Sequence, residues 1–314
     1  MFLILLMQLL YGCTFTISKI LISFASPMYV IGIRMTLAGG VLSALALIFT
    51  KNRHRFDRLS KWHLAQVSFF GICLPYLLRY WSLQYLPVIK TAIIYNTAPF
   101  ASFIFSYFLL KERSSWRKWL GLGIGFVAIL PVLMAGRDLG KHAISFLSWP
   151  EIAMIVAVFS FSYSWVVMKK LVMRTQASPF IINGIVMFFG GLLALLASFT
   201  LETNHVIRQP KEFMLWLLLI MLITNVICYN LYTYLLNKHS ATLLSLAGLA
   251  APVSAAITSW FYFGEKLTWD TAASGILVLV AFCVFYYEEL KHASEAIQKA
   301  AHDADVADAI EKKR

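Results

Sequence analysis

NTAPFASFIFSYFLLKERSSW, residues 96–116, returns at 249–269 as LAAPVSAAITSWFYFGEKLTW. Laid at one offset, Ala98 meets Ala251, Pro99 meets Pro252, Ile104 meets Ile257 and Ser106 meets Ser259. In the same register Phe108 meets Phe261, Glu112 meets Glu265 and Trp116 meets Trp269. Unrelated apolar helices do not share a proline, an acid and a tryptophan at one spacing. The chain is built twice.

Around that stretch the composition is extreme: 60% of residues are hydrophobic and 13% charged, against about 25% charged in an average soluble domain. Apolar runs of about twenty residues, the length that crosses roughly 30 Å of hydrocarbon, recur from end to end. They predict an integral membrane protein with helices at 2–23, 28–49, 62–85, 88–110, 116–134, 149–172, 178–200, 212–236, 240–263 and 268–289. The net charge of +12 would suit nucleic acid, but the cations sit in short loops between spans, where orientation in a bilayer accounts for them. Met1–Leu10 lacks a basic leader, and bulky Tyr11 precedes Gly12-Cys13, so a retained first helix is expected instead of a signal peptide. The four cysteines fall singly within spans, without the spacing of a metal or dithiol site, and buried, inert thiols are expected.

Lysine and arginine set the orientation. Lys51, Arg53, Arg55, Arg58, Lys61, Lys111, Arg113, Arg117, Lys118, Lys169, Lys170 and Arg174 fall on one side, while the other holds little beyond Arg137, Lys141, Arg208, Lys211 and Lys266. This asymmetry predicts both termini in the cytoplasm. Five spans per repeat is odd, so the second copy enters from the opposite side and the repeat is inverted. Ser26-Pro27 against Ser178-Pro179, Gly39-Gly40 against Gly190-Gly191 and Tyr11 against Tyr163 extend the match. Inverted repeats point to alternating-access transport. The expected domains are 1–134, an outer linker 135–148, a second repeat 149–289 and a cytoplasmic tail 290–314.

The two halves resemble the EamA domains of the drug/metabolite transporter superfamily, over nearly all of the chain to about residue 290. The likeness is carried by Tyr11-Gly12, where that family often has Trp-Gly, by Ser26-Pro27 followed by Arg34, and by Pro99…Glu112 with Pro252…Glu265. It implies ten spans in two inverted five-helix bundles around a central cavity, in a bacterial inner membrane. It also implies export or exchange of amino acids, related metabolites or nucleotide-like molecules.

A charge in the bilayer interior costs several kcal/mol, which makes intramembrane ionisable groups functional candidates. Here they are Lys19, Arg34, Arg79 and Lys90, and no acid lies within a span to pair with them. An anionic group on the substrate is the expected counter-ion. Without an acid or histidine relay, facilitated diffusion or exchange is expected over proton coupling. Arg79 is too deep to snorkel easily, and Tyr76 lies one turn back on its face. In the repeat register Ile72, Tyr76 and Arg79 correspond to Asn225, Tyr229 and Tyr232, a stripe on the eighth helix. Arg79, Tyr76, Asn225, Tyr229, Tyr232, Asn96 and Arg34 therefore form the expected substrate site, with Arg34 also suited to bracing helices. Lys19 and Lys90, near helix ends, are expected to snorkel. Tyr80, Tyr163, Trp165 and Trp81 could line a pocket for an aromatic or purine-like group.

The resulting expectation is a carrier of amino acids or related zwitterionic and anionic molecules. Uptake of S-adenosylmethionine-like or nucleotide-like molecules is the second reading. A membrane-embedded enzyme is a distant third, since the clustered acids, histidines or metal ligands it needs are missing from the spans. No cofactor, metal or nucleic-acid partner is expected, and the sequence is compatible with a homodimer without deciding it.

Overall fold

Proline and small residues decide where these helices start, bend and touch. The computed structural model describes residues 2–49, 57–110, 115–128, 130–131, 148–175, 177–236, 248, 250–285 and 287, and they are helical apart from short connections. Helix α1 is Phe2–Phe24 and α2 is Pro27–Phe49. Next come α3 (Arg58–Val67), a π-helical segment π1 (Ser68–Cys73) and α4 (Leu74–Leu83), joined end to end. Then follow α5 (Val88–Tyr95), α6 (Ala98–Leu110) and α7 (Trp116–Val127). The second half holds α8 (Trp149–Thr175), α9 (Pro179–Leu201), α10 (Pro210–Ile220), a second π segment π2 (Met221–Cys228) and α11 (Tyr229–Leu236). It ends with α12 (Ala250–Phe263) and α13 (Trp269–Phe285).

Among the described residues, six stretches are long and apolar enough to cross a bilayer: Leu6–Phe24, Pro27–Ala46, Val88–Leu109, Trp149–Thr175, Phe180–Leu201 and Pro210–Tyr232. Large apolar side chains also cover the outside: Phe261 is 76% exposed, Leu215 66% and Leu196 63%. In water so large an apolar surface would drive association, whereas acyl chains solvate it.

Pro75, Pro99 and Pro252 lie inside the spans expected from sequence, where the freed carbonyls predict kinks or local unwinding; a break is found at the first two. Pro75 removes a helical N–H, and π1 ends just before it. Pro99 follows the break at Asn96-Thr97, so the helix expected at 88–110 is two pieces. The π2 segment has no proline and was not expected. Glu112 and the basic residues beside it, most of the 135–148 linker and the 290–314 tail lie outside the described residues.

The most extensive helix pair is α2 on α9, and it is built from glycines. A Cβ on Gly39 would lie 2.2 Å from the Phe188 amide nitrogen, and one on Gly191 would lie 2.4 Å from that of Thr36. Apolar helices in lipid gain nothing from hiding from water, so close backbone approach supplies the attraction. Gly39→Ala is accordingly expected to cost about 1–3 kcal/mol, the range for overpacking, read as a lower midpoint of thermal unfolding in detergent. Gly123→Ala, whose Cβ would meet nothing within 4 Å, is the matched control and should be neutral or slightly stabilising.

Other contacts pair α1 with α12 and α6 with α8, α7 with α13, and α3 with α8 and α1 with α10. Exchanging the first half of the chain for the second maps these pairs onto one another. The buried core runs through the centre along Leu21, Ile31, Met35, Leu42, Ile72, Tyr76, Tyr80, Met187 and Tyr229.

Candidate substrate site

One face of the protein is closed by polar contacts between helix ends. The Glu265 carboxylate, just past α12, accepts from the Val88 N–H at 2.9 Å and the Ile89 N–H at 3.4 Å. It thereby satisfies orphan donors at the start of α5, where the helix dipole also favours an anion. The same carboxylate holds Lys19 Nζ of α1 at 2.8 Å. Glu202, after α9, does likewise for α2 by accepting from the Met28 and Tyr29 N–H groups, both at 2.9 Å. Lys90 Nζ reaches Glu151 at 2.6 Å. The expectation that Lys19 and Lys90 snorkel without carboxylate partners is thus corrected. Acids at helix ends, which a search of span interiors passes over, reach back to them.

Beneath the Lys19–Glu265 pair lies an apolar plug of Phe15, Leu83, Val88, Ala92 and Ala255. On the opposite face Asp57 caps α3, its side chain accepting from the Ser60 N–H at 3.0 Å, and pairs with Arg174. Hydrogen bonding to Arg174 holds the Asp57 carboxyl well below the usual carboxylate range. The pair is exposed, and exposed pairs contribute little to stability.

Between the two faces stand the two deep arginines. Arg34 is fully buried; its Nη1 donates to the Tyr80 hydroxyl at 2.7 Å and its Nε to Asn225 Oδ1 at 3.1 Å. Ser18 Oγ donates to the same Tyr80 hydroxyl at 2.9 Å. This network ties α1, α2, α4 and π2 together, which is the bracing role open to Arg34. Its Nη2 has no hydrogen-bond partner among the described residues.

Arg79 is different. Its guanidinium lies 4.5 Å from the Tyr76 ring centroid, 5.0 Å from Phe15, 5.5 Å from Tyr95 and 5.7 Å from Tyr80. It is 5% exposed, its Nε has no partner, and among the described residues it forms no ion pair. An aromatic cage stabilises a cation by about 0.5–2 kcal/mol per ring, yet leaves the Nε donor unspent. Such a group is poised for a carboxylate or phosphate.

Tyr76 and Tyr229, the repeat counterparts, share a hydroxyl–hydroxyl bond of 2.6 Å across a separation of 153 residues. Tyr229 also lines a narrow, water-sized cleft of about 20 Å³ on the side away from the Lys19–Glu265 pair, with Val67, Gly71, Phe161, Ser164, Trp165 and Asn183 among its walls. Aromatic rings lead from that cleft to Arg79. Trp165 sits 5.7 Å from Phe161, Phe161 is 5.3 Å from Tyr95, and Tyr95 belongs to the cage.

Of the residues expected at the site, Arg79, Tyr76 and Tyr229 are brought together. Asn225 turns instead to Arg34, and Tyr232 packs on Trp165 at 4.7 Å. The unforeseen π2 turn redistributes that stripe, because about 4.4 residues per turn no longer stack at α-helical spacing. Asn96 is half-buried at the α5–α6 break, and no side-chain contact joins it to Arg79. Tyr95 and Phe15 were missed: both are aromatic residues among many, with no signal in their spacing.

A caged arginine and a narrow cleft deep among apolar helices suit a carrier. The profile of the EamA-like transporter family matches residues 1–134 and 148–287. The chain belongs to that family. It is a multi-pass membrane transporter of the drug/metabolite type, not an enzyme. A Chlamydia muridarum protein named S-adenosylmethionine/S-adenosylhomocysteine transporter is 33% identical over 302 residues, covering 92% of each chain. The S-adenosylmethionine uptake transporter of Rickettsia bellii is 24% identical over 230 residues, 72% of this chain and 74% of that one. A crystal structure superposes with a TM-score of 0.61 at 16% identity, covering 90% of this EamA-type chain and 94% of the other, a likeness of fold alone.

Proposed function

We propose that this EamA-type transporter exchanges S-adenosylmethionine for S-adenosylhomocysteine or close analogues across a bacterial inner membrane. The amino-acid carrier that ranked first from sequence gives way to the adenosyl reading, which the relatives' names favour. The observation that carries it is the caged Arg79, joined through the Tyr76–Tyr229 bond to a cleft that Phe161 and Trp165 help to line. A carboxylate takes the guanidinium, the cleft, water-sized in this closed state, opens beside Phe161 and Trp165 to admit a planar base, and electron-rich tyrosine faces suit a sulfonium cation. No carboxylate is needed at the sulfonium, so the same cleft accepts the uncharged sulfur of the demethylated product.

The mechanism follows from the repeat. Ten spans form two inverted five-helix units, 1–134 and 149–289, with both termini in the cytoplasm. The helix contacts that survive exchange of the halves and the π segments at matched positions in them support this reading. In that orientation the ion-paired face is the outer one and the cleft faces the cytoplasm. The cargo on Arg79 is then gated by the Tyr76–Tyr229 bond beneath it and the Lys19–Glu265 closure above.

Purified protein in liposomes preloaded with unlabelled S-adenosylmethionine or S-adenosylhomocysteine should accumulate labelled S-adenosylmethionine in a saturable overshoot. Preloaded methionine should give a far smaller one. An overshoot with free amino acids and none with adenosyl compounds would return the amino-acid reading to first place.

A further inference from the structure

A buried amide nitrogen in the cleft has no hydrogen-bond partner among the described residues. Asn183, on the first turns of α9, is 4% exposed and lines the cleft. Its Nδ2 finds no acceptor among the described residues, although a buried donor left unmade is costly. The Ser164 hydroxyl on the same wall donates to the Phe161 carbonyl at 2.7 Å and does not accept from this nitrogen. In the register that pairs Ser26-Pro27 with Ser178-Pro179, Asn183 stands opposite Ile31, a buried core residue. The repeat therefore packs without a carboxamide here, and this half carries one.

We infer that Asn183 reads the base of an adenine-containing cargo, with Trp165 beside it as the stacking surface; the inference rests on the adenosyl reading above. A carboxamide offers one donor and one acceptor side by side, which match the N7 acceptor and N6 amino donor of adenine. Trp165 stands on the cleft wall, its ring 5.7 Å from Phe161 and 4.7 Å from Tyr232. Arg79 packs on the Tyr76 ring, whose hydroxyl bonds Tyr229 of the cleft wall. The cargo is thereby held at both ends, base at Asn183 and carboxylate at Arg79.

The test uses the reconstituted wild type first. Adenosine should inhibit S-adenosylmethionine counterflow about tenfold better than 7-deazaadenosine or N6,N6-dimethyladenosine, the loss expected when a bidentate base contact is broken. Asn183→Leu should raise the half-saturating S-adenosylmethionine concentration about tenfold and erase that discrimination. It should leave inhibition by S-methylmethionine, a sulfonium amino acid without a base, unchanged. Equal inhibition by the three nucleosides in the wild type, or a uniform loss for all ligands in the variant, overturns the inference. A wild type that exchanges adenosyl compounds but ignores the base edge sinks this inference alone. One that takes no adenosyl compound sinks the functional reading with it.

Discussion

Arg79→Ala is expected to abolish S-adenosylmethionine counterflow, a loss of a hundredfold or more, while the protein still folds and runs as a single species in detergent. The two halves of that expectation have one cause. Arg79 forms no ion pair among the described residues, so its removal strands no buried carboxylate, which is the usual reason that deleting a buried charge unfolds a protein. What is lost are ring contacts of about 0.5–2 kcal/mol each, partly offset by no longer desolvating a guanidinium. A cargo carboxylate that enters the same site in the variant meets only tyrosine and phenylalanine rings, and its desolvation is uncompensated. Arg79→Lys should recover a small part of the rate, since an ammonium supplies charge but not the planar fork. If Arg79 only braced the cage, transport and the unfolding midpoint would fall together in both variants. Wild-type rates in Arg79→Ala would remove it from the site altogether.

How far the residues announced this arrangement depends on the kind of signal. The repeat was legible because symmetric packing needs the same residue types twice, and Pro99/Pro252 and Glu112/Glu265 carry it. Breaks at Pro75 and Pro99 were legible because proline lacks an N–H. The π2 turn was not, since an inserted residue in a helical ladder leaves no mark in composition. Arg79 and Tyr76 could be picked out because a deep charge is costly wherever it sits. Their cage could not: Phe15 and Tyr95 come from α1 and α5, and no spacing rule links different helices. Asn183 was passed over for a related reason, as one asparagine in an apolar helix usually makes an interhelical hydrogen bond. Only the packed structure leaves its amide without one.

Lys19 and Lys90 taught the converse. Judged by depth alone they snorkel, yet both bind carboxylates that approach from other helix ends. The consequence for Glu265 is the second large effect. Glu265→Ala should lower stability by about 1–3 kcal/mol, the scale for leaving hydrogen-bond donors unsatisfied, because it strips one half-buried carboxylate from three groups at once. Lys19 keeps only the Leu86 carbonyl at 3.3 Å and the Phe263 ring, and the Val88 and Ile89 N–H groups are left at the start of α5. Lys19→Met should cost clearly less, since the carboxylate retains both backbone donors and the helix dipole. Glu265→Gln should fall between them, keeping an acceptor but losing the charge. That order distinguishes a carboxylate acting as a helix cap from a simple ion pair, in which either partner's loss would cost the same. The cap exists only while this face is closed, so the loss should also open it. Val88, fully buried under the pair, supplies the reporter: a Val88→Cys change in a background lacking the native cysteines should react with a maleimide slowly. Added Glu265→Ala should speed that reaction about tenfold or more, and S-adenosylmethionine should modulate it. Unchanged labelling beside a lowered unfolding midpoint would make Glu265 a cap for α5 and leave the closing of this face to Glu202 and Glu151.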